Sequence, residues 1–496
     1  MKKQVFNPYM PLDIYIPDGE PHVFSDRIYV FGSHDREGGT EFCELDYEAF
    51  SAPVNDLTDW RREGIIYRSS QDPHVTKNRK DMYAPDVVQG NDGKYYLYYC
   101  LEGFAGPISV AVCDSPAGKY EYYGEVRYPD GRPMLRSIPF DPGIINDDGR
   151  IWLYYGWGLG MDLREQTEDL SDAEQLCQLF CKTPEEMKIE KEHTILGANV
   201  VELEDDMLTV KGEPNRILEA AMRAERGTVY YEHTFFEASS IRKFGDLYYF
   251  IYSSNTNYEL CYATSKYPDR DFVYRGVIIA DGDIGFEGRK PEERLTATGN
   301  NHGSIECING QYYIFYHRLT HNTCFSRQAC AERIEIEDDG TIRQVERTSC
   351  GLNGGPLQTE GIYPAPIACV LTNGHMPHLS SVEENPLAPN INHAGDERFI
   401  TEISNGTIVG YKYFKFSGRE KLTVTTRGEG QGEILVSTEM GGKVLGRIKV
   451  TPSQNWQISD ITELACNEGV YALYFKYVGS KTISLLNFTF QEVVVV

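Results

Sequence analysis

The sequence predicts an all-β protein of two domains: a five-bladed β-propeller over residues 1–365 and a β-sandwich over residues 373–496. Three observations carry this expectation. A hairpin signature recurs five times: SDRIYVFGSHD from Ser25, NDGKYYLYYC from Asn91, DDGRIWLYYGW from Asp147, FGDLYYFIYSS from Phe244 and NGQYYIFYHR from Asn309. Each joins a tight-turn signal to alternating aromatic and aliphatic residues, and each follows another short strand. The repeats are spaced irregularly, by roughly 55–100 residues, which suits radially arranged sheets with variable loops better than a solenoid of identical units. From about Asn373 the pattern changes to evenly spaced short strands, GTIVGYKYFKF through TISLLNFTFQEV, whose period-two alternation describes a sandwich.

The elements follow in order. The short strands EPHVF, APDVVQ, DPGIIN, ASSIRKF and GSIECI open the five repeats and are expected to line a central funnel. Between the third and fourth repeats, SDAE from Ser171 and TPEE from Thr183 are helix-start signatures, predicting a helical insertion over about residues 163–190. The stretch LNGGPLQTEGIYPAPIACV after Gly351 is rich in Gly and Pro and reads as a strap between the domains.

Composition narrows the partners. With 48 Lys plus Arg against 74 Asp plus Glu, the formal charge of −26 repels phosphate backbones and anionic lipid, so nucleic acid and membrane surfaces are excluded as expected partners. The start shows no apolar run of signal-peptide length, and no segment approaches the 18 consecutive apolar residues of a membrane span. The twelve cysteines form no secreted-type framework and are expected as free thiols in the cytoplasm. Phosphate loops, a Gly-x-Ser-x-Gly elbow and a His-Glu-x-x-His zinc motif are all missing, so the chemistry must come from elsewhere.

It comes from the residues that open the repeats. Read in order they are Glu20, Asp86, Asp141, Glu237 and His302, four carboxylates and one histidine converging on one funnel. Carboxylates facing each other repel and raise one another's pKa, a cost usually met at working sites.

At these residues the sequence resembles glycoside hydrolase family 43, through the YAPD box at Tyr83–Asp86, the FDP box at Phe140–Pro142, the segment around Glu237, and NHGS followed by YYIFYHR. The resemblance implies an inverting glycosidase removing terminal arabinose or xylose from plant-derived oligosaccharides. It implies that Glu237 is the general acid and that Asp141 tunes and orients it. The first-blade slot, normally Asp-Pro, holds the general base. Here it reads Glu20-Pro21, with Asp18 as rival two residues earlier, and the proline favours Glu20. By the same resemblance Asp86 shapes the sugar pocket, although a structural role at the start of its blade is an alternative. Tyr83 stacks on the sugar, Arg327 contacts its hydroxyls, and His302 approaches a calcium ion through water. His34 and Trp157 are further pocket candidates. No organic cofactor is expected.

The C-terminal region resembles carbohydrate-binding module family 6, with Trp456 as a candidate platform and Asn487 as a late-chain asparagine. Support of one propeller face, or subunit contacts in a homo-oligomer, is the alternative role. Two other functions stay open at this stage: a non-catalytic sugar-binding propeller, suggested by the altered first-blade slot, and a glycoside phosphorylase, against which the acidic funnel argues.

Overall fold

A computed structural model of the chain describes residues 4–491 except 104–105, 136–137, 159–163, 165–169, 188, 190–194, 382–384 and 386. Five antiparallel sheets follow one another along the first 334 residues. Their inner strands are Glu20–Phe24, Asp86–Gln89, Gly143–Asp147, Phe235–Phe244 and Ser304–Ile308. Each packs on the next, and the last packs back on the first, so the ring closes. A parallel bridge between Gly19 and Gly303 seals that seam.

The alternation that revealed these strands also explains the ring. A blade exposes two apolar faces and must bury both, so one hydrophobic cluster forms between every pair of neighbours. Leu97 and Tyr99 of the second blade pack with Phe31 and Tyr47 of the first. Phe250 and Tyr252 of the fourth pack with Trp152 and Tyr154 of the third. The closing cluster joins Ile28, Val30 and Phe50 to Ile308 and Phe315, with Val5, Tyr9 and Met10 added from the N-terminus.

The first four sheets have four strands, but the fifth has three. Its outer strand, Thr323–Ile334, is instead covered by the N-terminal segment. The Tyr9 amide donates to the Ala329 carbonyl, and the Asn7 side chain both donates to and accepts from the Ala331 backbone. An edge with unpaired backbone groups is thereby satisfied.

In the predicted insertion, a helix over Asp172–Phe180 starts with a capping box in which Ser171 and Glu174 exchange hydrogen bonds, and a short helix follows over Pro184–Met187. Part of the expected span lies outside the described residues. Among the described residues no helix is long and apolar enough to cross a membrane.

Two further sheets, of six and seven strands, face each other across a core rich in Phe and Tyr, including Tyr411, Phe414, Phe475 and Phe488. The boundary lies earlier than 373. Strands Leu357–Gln358, Gly361–Pro364 and Val370–Thr372 already belong to these sheets, so most of the expected strap is part of the sandwich. Gly and Pro there shape short edge strands, which composition alone does not separate from a linker.

The sandwich is fastened to the propeller by buried polar contacts. Lys412 Nζ sits 3.1 Å from Asp283 and 2.8 Å from Glu346, and Arg318 donates to the Ala368 carbonyl at 3.1 Å. Arg398 forks onto Glu37 at 2.7 and 3.1 Å.

The two expected sugar contacts of the sandwich have other work. The Arg427 guanidinium lies 4.2 Å over the Trp456 ring, Phe399 meets the ring edge-on, and its indole N–H donates to Glu397. Asn487 sits mid-strand and accepts from the Thr425 hydroxyl at 2.7 Å. Neither presents a free platform.

Candidate active site

One cavity, of about 270 Å³, opens at the end of the funnel where the inner strands begin. Asp18, Asp141 and Glu237 all line it, with His302, Arg327 and an aromatic wall of Phe42, Tyr83, Phe140, Trp157 and Phe236. Glu20 does not. This corrects the expectation for the first-blade slot.

The backbone explains the correction. Two residues apart in a strand share a face, but Asp18 precedes the strand and has φ of 56°. That left-handed turn, tolerated by aspartate, breaks the alternation. Asp18 therefore turns into the cavity while Glu20 runs down the funnel wall. Asp141 has φ of 43° just before its strand, and Ala238, at 68°, follows Glu237 within a break in strand register. All three cavity carboxylates sit on irregular backbone where a blade opens, where strain is often stored at working sites.

Asp18 is held ionised. Burial alone would push its carboxyl up, but Arg327 Nη1 donates to its Oδ1 at 2.8 Å, and His302 and His317 add to the pull, so the group is lowered below its ordinary value. Arg327 is itself fixed by Asp35, which takes its Nε at 2.8 Å and Nη2 at 2.9 Å. The Arg327 guanidinium also lies 4.9 Å over Phe42. Most of its fork is thus spent on two aspartates, so it acts on Asp18 as well as lining the pocket.

Glu237 has the opposite character. Burial and the negative charge of Asp18 push it up to about 7, against the opposing effects of Arg327 and of the Trp157 indole N–H that donates to it. Asp141 is raised well above its ordinary value by burial and then by Glu237 and Asp18, and its Oδ2 accepts the Ala238 amide at 3.1 Å. That bond ties Asp141 to the backbone next to Glu237.

His302 stands between the acids, its Nδ1 4.0 Å from Asp18 and 3.8 Å from Asp141. Burial lowers it to about 4, so it is neutral near pH 7.

Glu20 lies 1% exposed below the cavity, its Oε2 bonded to Arg242 at 2.9 Å and to Ser240 at 3.1 Å. Asp86, expected at the sugar, is also outside. It accepts from the Val87 and Ile144 amides and pairs with His22 at 2.5 Å, stitching the second blade to the third. Of its two expected roles the structural one is observed. His34 does not line the cavity; its Nδ1 meets the Asp46 carbonyl at 2.9 Å and orders a loop.

Tyr83, Trp157, Arg327 and His302 lie where expected. Sequence reading missed Asp35, Phe42, Cys43, Phe236, Asn257, Asn300 and Ser381. Asp35 ends the quoted SDRIYVFGSHD and Asn300 immediately precedes NHGS, but nothing in the first motif tells that Asp35 meets an arginine 292 positions away.

The profile of glycosyl hydrolases family 43 matches residues 24–175. A xylosidase/arabinosidase from Thermoclostridium stercorarium is 44% identical over 506 residues, covering 99% of either chain. A GH43_1 enzyme from Xanthomonas citri, solved with xylotriose, superposes with a TM-score of 0.51 at 23% identity, covering 69% of this chain and 94% of its own, which is a likeness of fold. A β-xylosidase/α-arabinofuranosidase from a compost metagenome, in a calcium-free form with xylotriose, is 26% identical with a TM-score of 0.48 over 67% of this chain and 94% of its own. With a relative matched from end to end at that level of identity, the chain belongs to glycoside hydrolase family 43.

Proposed function

We propose that the protein is an inverting exo-glycosidase that removes terminal xylose or arabinose units from short plant-derived oligosaccharides, with Asp18 as general base, Glu237 as general acid and Asp141 orienting the acid. One observation carries the reading: a carboxylate held ionised and a carboxylic acid held protonated line the same small cavity. Environments that push carboxyls apart in pKa assign the acid and the base, and of the two raised carboxyls Glu237 is the partly exposed one, Asp141 being buried and tied to the Ala238 amide. The full-length relative, named a xylosidase/arabinosidase, supports the pentose class.

The reaction follows from the positions. A terminal sugar enters the aromatic-walled cavity of about 270 Å³. Glu237, partly exposed, gives its proton to the glycosidic oxygen as the bond to the anomeric carbon breaks. Asp18 takes a proton from water, whose oxygen bonds to that carbon from the opposite face. Both protons are accounted for, and the configuration inverts.

A calcium ion beside His302 would be approached through water, with water supplying most of its oxygens. A calcium ion takes six to eight oxygens. Around the His302 imidazole stand two carboxylates already bonded to Arg327 and to the Ala238 amide. No step is routed through a metal. For location we propose the cytoplasm, supported by twelve cysteines that are all free.

The direct test is hydrolysis of nitrophenyl β-xyloside and α-L-arabinofuranoside, with the first-formed anomer of the product sugar read by proton NMR. Retention, or no turnover of either substrate, overturns the proposal.

The pH profile has a determined sign. The base must be ionised, so activity rises as pH climbs past the lowered pKa of Asp18, on the acidic side of the usual carboxylate range. The acid must be protonated, so kcat/KM falls as pH passes about 7, where Glu237 loses its proton. A plateau continuing above pH 9 contradicts Glu237 as the acid. Trp157→Phe deletes the indole N–H that favours ionised Glu237, so the alkaline limb is expected to move upward while the acidic limb stays in place. An unchanged alkaline limb argues against that bond in the working enzyme.

A further inference from the structure

Among the described residues, three clusters outside the cavity bring metal-ligating atoms within reach of one another: Glu20 with His22 and Asp86, His233 with Glu259 and Cys261, and Glu37 with His321 and His393. In the first, the Arg242 guanidinium lies 2.9 Å from Glu20 and supplies the positive charge itself. In the second, burial holds the Cys261 thiol well above its ordinary value, which makes the ligating thiolate costly. In the third, Arg398 also holds the carboxylate, at 2.7 and 3.1 Å from Glu37, but this cluster brings two imidazoles together, involves no thiol and is partly exposed at all three residues.

Glu37 comes from the loop after the second strand of blade one, His321 from the turn of the last hairpin of blade five, and His393 from the sandwich strand Asn390–Ala394. His321 Nε2 lies 2.8 Å from His393 Nδ1, and His393 Nδ1 lies 3.5 Å from Glu37 Oε1. For metal–ligand bonds of ~2.0–2.1 Å, neighbouring donors in a four- to six-coordinate shell stand roughly 3–3.4 Å apart, so these spacings are close to those of a coordination edge.

Proton positions favour ligation. The Thr320 hydroxyl gives its one hydrogen to the Ser326 carbonyl at 2.9 Å, so toward His321 Nδ1, at 2.8 Å, it can only accept. His321 is thereby fixed as the Nδ1–H tautomer, with the Nε2 lone pair aimed at the cluster. Anchoring the far nitrogen in this way is the usual support of a metal-bound imidazole. His393 can turn its own Nδ1 lone pair inward by moving its proton to Nε2. Glu37 keeps its second oxygen on Arg398 at 2.7 Å, while Arg398 Nε and the Tyr15 hydroxyl both donate to Oε1 at 3.1 Å, bonds that an incoming ion exchanges for its own. All three ligands are partly exposed, which gives an ion a way in.

We propose that Glu37, His321 and His393 form a binding site for a divalent transition metal of the zinc type, joining blade one, blade five and the sandwich. Two imidazoles and a carboxylate suit zinc, cobalt or nickel, and not calcium or magnesium, which prefer all-oxygen shells. The ion fastens the seam at which the propeller closes. Asp35, which fixes Arg327, lies two residues from Glu37 in the same loop, so the site also steadies the support of Asp18.

The test uses the full-length protein stripped with EDTA and titrated with Zn²⁺ by calorimetry and with Co²⁺ by visible absorption. The expected result is one ion per chain, cobalt bands from nitrogen and oxygen ligands, and a melting midpoint raised by a few degrees once zinc stands at about 100 times its Kd. His393→Gln, at a partly exposed side chain, is expected to weaken binding about a hundredfold. His321→Gln should do the same, and His233→Gln should leave binding unchanged. Absence of stoichiometric binding overturns the proposal. So does binding that is the same in His393→Gln as in the wild type, or that is lost in His233→Gln instead.

Discussion

Replacing Glu237 by glutamine is expected to lower kcat by roughly 10²–10⁴-fold on natural glycosides, because positioned proton transfer contributes about that much. Glutamine keeps the size of the side chain and can accept from the Trp157 N–H, but it has no acidic proton to give to a leaving oxygen. The effect should depend on the leaving group. A sugar alkoxide cannot depart without a proton, whereas a nitrophenolate can, so xylobiose should lose far more activity than nitrophenyl xyloside. KM should change little, because the aromatic wall that meets the sugar is untouched. The alkaline limb near pH 7 should also vanish, since the titrating group is gone. Equal losses on both substrates, with the alkaline limb intact, would assign the acid to another residue.

Much of this arrangement was readable in the chain, and the exceptions share one cause. Five turn-and-strand repeats sufficed for the propeller because alternation with a period of two is a local signal, visible in runs such as KYYLYY and LYYFIYSS. Asp141 and Glu237 were readable for the same reason: each stands at a fixed offset from a recognisable strand. Asp18 was misjudged because strand alternation was applied to a residue outside the strand, and a φ of 56° is not written in the letters PDGEP. Asp86 occupies the slot equivalent to those of the cavity carboxylates, yet its own carboxylate is used up by two amides and His22. Slot equivalence predicts direction along the funnel, not depth within it. The sandwich boundary failed likewise, because pairing of Gly361–Pro364 with the final strand depends on residues more than a hundred positions away.

The two first-blade carboxylates give the sharpest contrast. Asp18→Asn is expected to reduce kcat by roughly 10²–10⁴-fold, since water loses the group that accepts its proton. The fold should survive, because the asparagine oxygen can still accept from Arg327. Glu20→Gln should leave kcat within a few-fold of the wild type. Burial already pushes Glu20 up to about 7, so a neutral amide of the same shape is a mild change, and its oxygen can keep the bonds from Arg242 and Ser240. Any effect should appear as a modest fall in melting midpoint. Rescue by an external nucleophile separates the two roles further. In Asp18→Ala the space left by the carboxylate admits azide, which needs no base and can attack the anomeric carbon of a nitrophenyl glycoside from the side on which water would stand. The product is then a glycosyl azide of inverted configuration, detectable by mass and NMR. Azide should do nothing for Glu20→Ala, whose vacated space lies below the cavity. If Glu20 variants lose activity and recover it with azide while Asp18 variants work normally, the base is Glu20 and the positions of the two carboxylates in the working enzyme are reversed from those described.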